Sequence, residues 1–169
     1  MESSKLDISK FSNFSNANSE TKYIHEYLEN INTQARLVNI LDGDTIICII
    51  EVNGGFYKFR ARLAGVDTYE MRSKDQLIRE KAELARKYVI TRLCGVEAIT
   101  YDKHKLESYL DNNPVIINIK CNSLDKYGRL LIDIFLDGET EEIKNTKNTI
   151  SNELISKSLG YFYNGGKKL

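Results

Sequence analysis

Apolar and polar positions divide the chain into a polar lead, a run of strand-like segments, and helical segments that interrupt and follow them. Residues 1–19 are rich in Ser, Asn and Lys without a sustained apolar period, which predicts a mobile tail. From Ser19, a candidate N-cap, the residues Tyr23, Ile24, Tyr27, Leu28 and Ile31 recur at helical spacing. They predict a short amphipathic helix that packs on the domain or docks a partner. Residues 1–34 read as an N-terminal extension and 35–169 as one domain.

The domain opens on strands. Ala35 to Leu41 leads into an Asp42-Gly43-Asp44 turn, and Thr45 to Val52 is a nearly unbroken β-branched run. Asn53-Gly54-Gly55 is a hairpin signal, and in Phe56 to Leu63 the positions Phe56, Lys58, Arg60 and Arg62 alternate with Tyr57, Phe59, Ala61 and Leu63. Residues Asp75 to Leu93 predict a helix with an inward stripe of Leu77, Ala82, Leu84, Ala85, Val89 and Leu93, closed by Cys94-Gly95. Glu97 to Asn113 gives no clear period. Val115 to Asn122 and Leu130 to Leu136 are further strands around the Asp125–Arg129 turn, and Thr149 to Leu159 is a last helix before Gly160-Tyr161-Phe162-Tyr163. The fold expected is α+β, mainly β: a five-stranded OB-type barrel with two to three helices.

Composition narrows the class. A chain of 169 residues with 41% hydrophobic content can bury one core. No apolar run approaches the ~20 residues that cross a bilayer, and Met1 to Lys5 offers neither a basic n-region nor an apolar stretch. An intracellular, cytoplasmic protein with no membrane partner is expected. Cys48, Cys94 and Cys121 form an odd set without CxxC spacing and read as reduced, mostly buried side chains. His25 and His104 have no second ligand at metal spacing and read as surface or helix-face residues. The net charge is zero, yet residues 53–87 carry nine Lys/Arg against five Asp/Glu while 1–34 carry three against five. A local basic field of that kind can face phosphates on a neutral molecule.

The candidate chemistry lies in three turns. Asp42-Gly43-Asp44-Thr45 and Val66-Asp67-Thr68-Tyr69-Glu70 together bring four carboxylates, with Arg62 just upstream of the second. Hard cations take oxygen ligands, and a phosphodiester under attack needs cationic charge on its non-bridging oxygens. Asp125-Lys126-Tyr127-Gly128-Arg129 adds a second arginine on a tight turn. Each has a plainer reading: Asp and Gly are local turn formers, Arg62 can form a salt bridge with Asp67 or Glu70, and the third run can be an ordinary hairpin. Their co-occurrence beside strands of one small barrel favours the functional reading.

In that order and spacing the three runs resemble the staphylococcal nuclease (thermonuclease-like) family over about Ala35 to Tyr163. The resemblance implies a calcium-dependent endonuclease that hydrolyses phosphodiester bonds of DNA and/or RNA. By motif position, Asp44 and Asp67 look like carboxylate ligands of the ion, and Thr68 like a donor of its backbone carbonyl. Glu70 looks like the residue that positions or deprotonates the attacking water, and Arg62 and Arg129 like the pair that neutralises the transition state. Asp42 looks like an outer acidic neighbour of the metal. Lys126 and Tyr127 match residues that contact a terminal phosphate, and Tyr161 or Tyr163 a nucleotide-packing tyrosine. The chain departs from the family in having Tyr69 where proline is commonest, a longer Glu97–Asn113 segment, and the extension before Ala35. The rival expectation is the same OB-type barrel as a catalytically silent module binding nucleic acid or protein.

Overall fold

Five strands close into a barrel in the computed structural model, which describes residues 19–95, 102–136 and 148–164. β1 (Asn32–Asp42), β2 (Thr45–Val52) and β3 (Gly55–Leu63) form the antiparallel meander that the sequence predicts. The β2–β3 turn is Asn53-Gly54, both at positive φ (51° and 80°), the geometry that matches strand twist in a two-residue hairpin. β5 (Val115–Leu124) and β6 (Leu130–Phe135) make a second hairpin. β6 pairs in parallel with β3 and β5 antiparallel with β1, and this closes the ring β1-β2-β3-β6-β5. Alternate side chains point inward, so Leu37, Ile46, Cys48, Ile50, Ala61, Leu63, Ile119, Cys121, Ile132 and Ile134 are fully or almost fully buried.

Three α-helices lie against this barrel among the described residues: α1 (Gln76–Cys94), α2 (Lys103–Asn112) and α3 (Ile150–Ser156). The side chain of Asp75 caps α1 by accepting from the Leu77 and Ile78 amides, and Gly95 ends the helix at φ 67°. The inward stripe of α1 differs from the one expected. Ala82, Ala85, Arg86, Val89 and Ile90 are buried, whereas Leu77 and Leu84 are 68% and 52% exposed. Leu77 and Leu84 share a face seven residues apart, and each residue turns the helix by ~100°, so Leu84 points away from the side that Ala85 presents. Arg86 takes the place of an apolar residue in the stripe. Its Nε donates to the Ile40 carbonyl (2.8 Å) and ties α1 to β1.

α2 occupies part of the segment without a clear period, and residues 97–101 of that segment lie outside the described residues, as do 1–18, Asp137-Gly138 and 165–169. The stretch after Ser19 forms a single 3-10 turn, Ile24–Tyr27, instead of an amphipathic α-helix. Leu28 alone of its apolar set enters the core, and β1 already begins at Asn32. A small two-stranded sheet, β4 (Val66–Thr68) with β7 (Gly160–Phe162), stands beside the barrel.

Candidate functional site

Three local features carry the acidic residues to one end of the barrel. The β1–β2 turn is tight because position 43 has no side chain. A Cβ there would sit 2.8 Å from the Ala85 Cβ and 2.9 Å from the Thr68 Cγ2, so only glycine lets the turn nest between α1 and β4. The β2–β3 register sets Thr45 opposite Arg62, and the Leu63 amide donates to the Asp44 carbonyl (2.9 Å). After β3 the chain reverses through Ala64-Gly65 into β4, which brings Asp67 back under the Arg62 guanidinium. Gly160 lets β7 lie close: a Cβ there would meet the Asp67 carbonyl at 2.9 Å.

Arg62 is the hub of this end. Its Nη1 donates to Asp44 Oδ1 (3.0 Å), and its Nη2 donates to Asp67 Oδ1 (2.6 Å) and to the Val66 carbonyl (3.3 Å). The remaining oxygens have partners too. Asp44 Oδ2 accepts from the Thr68 amide (2.9 Å) and hydroxyl (3.2 Å), Asp44 Oδ1 from the Thr45 hydroxyl (2.9 Å), and Asp67 Oδ2 from the Tyr161 hydroxyl (2.9 Å). Asp42 joins from the turn, where its Oδ1 accepts from the Asp44 amide (3.2 Å). Asp44, Thr45, Arg62, Asp67 and Thr68 are all buried.

The charges do not balance at one guanidinium. Burial, and then the nearby negative charge of Asp42, push the Asp44 carboxyl up to about 6. Burial also acts against ionised Asp67, but hydrogen bonds from Arg62 and Tyr161 outweigh it and hold that carboxyl below its ordinary range. Burial pulls on the Arg62 guanidinium as well, and the adjoining carboxylates more than offset this and raise it. This donor set suits a hard cation: buried carboxylates converge, and they carry more negative charge than one arginine neutralises. Among the described residues no group of three or more His, Cys, Asp or Glu side chains forms a ready-made metal cluster. Calcium takes roughly six to eight oxygens, so main-chain carbonyls, water or a ligand would have to complete its shell.

The other face of Arg62 looks into a cleft of about 900 Å³ lined by Arg60, Arg62, Glu70, Lys126, Tyr127, Arg129 and Tyr163, among others. The parallel pairing of Arg62 with Leu131 places the β5–β6 turn beside the end of β3. Asp125 organises that turn. Its Oδ1 accepts from the Tyr127 and Arg129 amides (both 2.9 Å) and its Oδ2 from Arg129 Nε (2.6 Å), while Gly128 adopts φ 77°. Arg129 also lies over the Tyr127 ring at 5.5 Å, as Arg62 does over Tyr163. Glu70 is exposed and also lines the cleft.

Of the residues singled out from sequence, Arg62, Glu70, Lys126, Tyr127, Arg129 and Tyr163 thus share one cleft, and Asp42, Asp44, Asp67 and Thr68 lie behind it around Arg62. Tyr161 stands apart from the other tyrosines. Its hydroxyl is on Asp67 and its ring meets Tyr69 edge-on at 6.2 Å, so it braces the acidic pair and is not a lining residue of the cleft. Asp125 and Arg60 were visible in the sequence without a role. The Asx-type spacing of Asp125 to Tyr127 and Arg129 is the signal that could have assigned the first. Fold and site together define a five-stranded OB-type barrel with an acid-and-arginine cleft at one end. No family model and no curated protein matches the sequence.

Proposed function

We propose that this protein is a metal-dependent nuclease of thermonuclease-like type that hydrolyses phosphodiester bonds of DNA or RNA. The observation that carries the reading is the meeting of Arg62, Glu70 and Arg129 in one cleft while Arg62 grips Asp44 and Asp67 from behind. In this reading the two guanidinium groups hold the non-bridging oxygens of the scissile phosphate, which cannot take their protons. Glu70 accepts the proton of the attacking water on a carboxylate oxygen that is open to solvent. Asp44 and Asp67, with the Thr68 carbonyl, would hold a divalent cation, calcium by their hard oxygen chemistry. When bound, that cation supplies Lewis acidity and a fixed positive charge. Lys126 and Tyr127 stand where a neighbouring phosphate would lie, and the Tyr163 ring offers a face to a base.

A second reading has its own observation. The Arg62 grip is a closed, buried salt-bridge network, and the same geometry serves a binding module that holds nucleic acid without cutting it. Digestion of single-stranded DNA and RNA with calcium, with magnesium and with chelator separates the two. The nuclease reading expects chelator-sensitive cleavage that Asp44→Asn nearly abolishes in a protein that still folds. Cleavage at undiminished rate in chelator would sink the metal role, and binding without cleavage under every condition would leave the module.

A further inference from the structure

We infer that the pocket between β6, α3 and β7 is a base subsite that selects guanine next to the scissile phosphodiester. The inference rests on the nuclease reading and deepens it by naming the base beside which cutting is favoured. The pocket holds about 480 Å³ and is lined by Asn122, Asp133, Thr149, Asn152 and Phe162, among others. It shares Ala64, Gly65 and Leu131 with the cleft, so the turn between β3 and β4 and one β6 side chain form the divide between the two. Leu131 and Asp133 are two residues apart on the outer side of β6, ~6.7 Å along the strand. That step is short enough for the nucleotide next to the cleaved bond to span.

The chemistry of this pocket differs from that of the cleft. Among the described residues Asp133 is the one charged side chain that lines it. Asp133 Oδ2 accepts from Asn122 Nδ2 (3.0 Å), which orients the carboxylate and leaves Oδ1 to a ligand. Lys120 stands opposite Asp133 in the β5–β6 register, yet no ion pair joins them among the described residues and Lys120 is not on the pocket wall. An ionised carboxylate only accepts, and each of its oxygens can take more than one donor. Of the common bases, guanine alone carries two adjacent donors, N1–H and the N2 amino group, on its Watson–Crick edge. Adenine and cytosine set a ring-nitrogen acceptor beside their amino group, and thymine and uracil flank one N–H with two carbonyls. Each of these turns a lone pair toward a carboxylate. The Phe162 ring, 70% exposed and on the pocket wall, supplies the stacking face that a splayed-out base needs. A cationic side chain of a protein would also suit a carboxylate beside a ring. The adjoining cleft, however, carries Arg60, Arg62, Lys126 and Arg129, whose field repels a cation and draws in a nucleotide.

The test uses end-labelled oligothymidylate and oligouridylate of seven nucleotides whose central base is replaced by guanine, hypoxanthine, adenine or cytosine. Each strand is digested in calcium with the cuts mapped, and its binding is read by anisotropy in chelator. Wild-type protein should cut at one fixed position beside guanine at least tenfold faster than at the same position beside adenine or cytosine. Hypoxanthine keeps N1–H but lacks the amino group, and its strand should fall between. Binding should follow the same order. In Asp133→Asn the guanine-to-adenine ratio should drop to near one in both readouts. Phe162→Ser should weaken the guanine strand about fivefold or more, as expected for one lost stacking partner. Melting temperatures check that both variants fold. If wild type treats every strand alike, or if Asp133→Asn keeps the preference for guanine, the subsite is wrong while cleavage itself leaves the nuclease reading standing. Guanine-selective binding without any cleavage, lost in Asp133→Asn, would uphold the base selection and overturn the nuclease reading. If wild type neither binds nor cuts any strand, both fall together.

Discussion

At the end of β3, one guanidinium divides its nitrogens between Asp44 and Asp67 and turns its plane toward Tyr163 and the cleft. Arg129 is differently placed: it is half-buried on a turn, with Asp125 as its carboxylate partner. Substitution should therefore separate the two arginines. Arg129→Lys is expected to lower kcat by about two to three decades, the effect of losing one preorganised donor, with KM changed far less. Arg62→Lys should show the same kinetic loss together with a drop in stability of about 1–3 kcal/mol, because an ammonium cannot span two buried carboxylates and one loses its partner. Steady-state kinetics with thermal melts measure both. Full turnover per folded molecule in Arg129→Lys would remove that side chain from the chemistry. At this scale the sequence was informative about place: the runs that hold Asp42, Asp44, Asp67, Glu70 and Arg129 are legible as turns and strand ends, and the fold brings them to one end of the barrel. The place of Tyr161 was not legible, because its hydroxyl finds Asp67 across 94 residues of chain and no local spacing records that.

Between elements, α1 and α3 are joined by a polar clamp. Tyr88 donates its hydroxyl to Glu153 Oε2, Arg92 Nε reaches the same oxygen at 3.1 Å, and Lys157 lies over the Tyr88 ring at 5.4 Å. Burial disfavours ionised Glu153, but Arg92 and Tyr88 overcome that and hold it below its usual range. Its contribution to stability is complete above the unfolded carboxyl value of ~4.3 and is lost as pH falls through the lower folded value. Burial, then the hydrogen bond to Glu153, pushes Tyr88 up to about 12. That contribution is complete below the unfolded phenol value of ~10 and is lost as pH rises through the folded one. The melting-temperature gap between wild type and Glu153→Gln should be widest between roughly pH 5 and 9 and shrink on both sides. A gap independent of pH would mean that packing, not ionisation, holds the helices together. The elements themselves were legible where one signal dominated. The β-branched run gave β2, Asn53-Gly54 gave the hairpin, and Asp75 and Gly95 bracketed α1. α2 escaped because a ten-residue helix rich in charge buries only Leu106 and Leu110, too few positions to reveal a period. β4 escaped because three residues show no alternation and its partner strand is remote.

For the molecule as a whole, a cation that binds only the native fold must raise its melting temperature. Calcium at about a hundred times its dissociation constant should add ~2.7 kcal/mol, roughly 5–10 °C for a chain of this size. Asp44→Asn should remove most of that shift, and a wild-type melt that calcium leaves unmoved would argue against the ion without any appeal to activity. Among the described residues no helix is long and apolar enough to cross a membrane. The pairing of β4 with β7 has a further consequence, in the order of synthesis. Val66–Thr68 leaves the ribosome long before Gly160–Phe162, and until the later strand arrives Asp67 has neither its strand partner nor the Tyr161 hydroxyl. A chain still being translated therefore holds Asp42, Asp44, Asp67 and Glu70 before the contacts that fix Asp67 exist, and this end of the barrel is completed only when Tyr161 emerges.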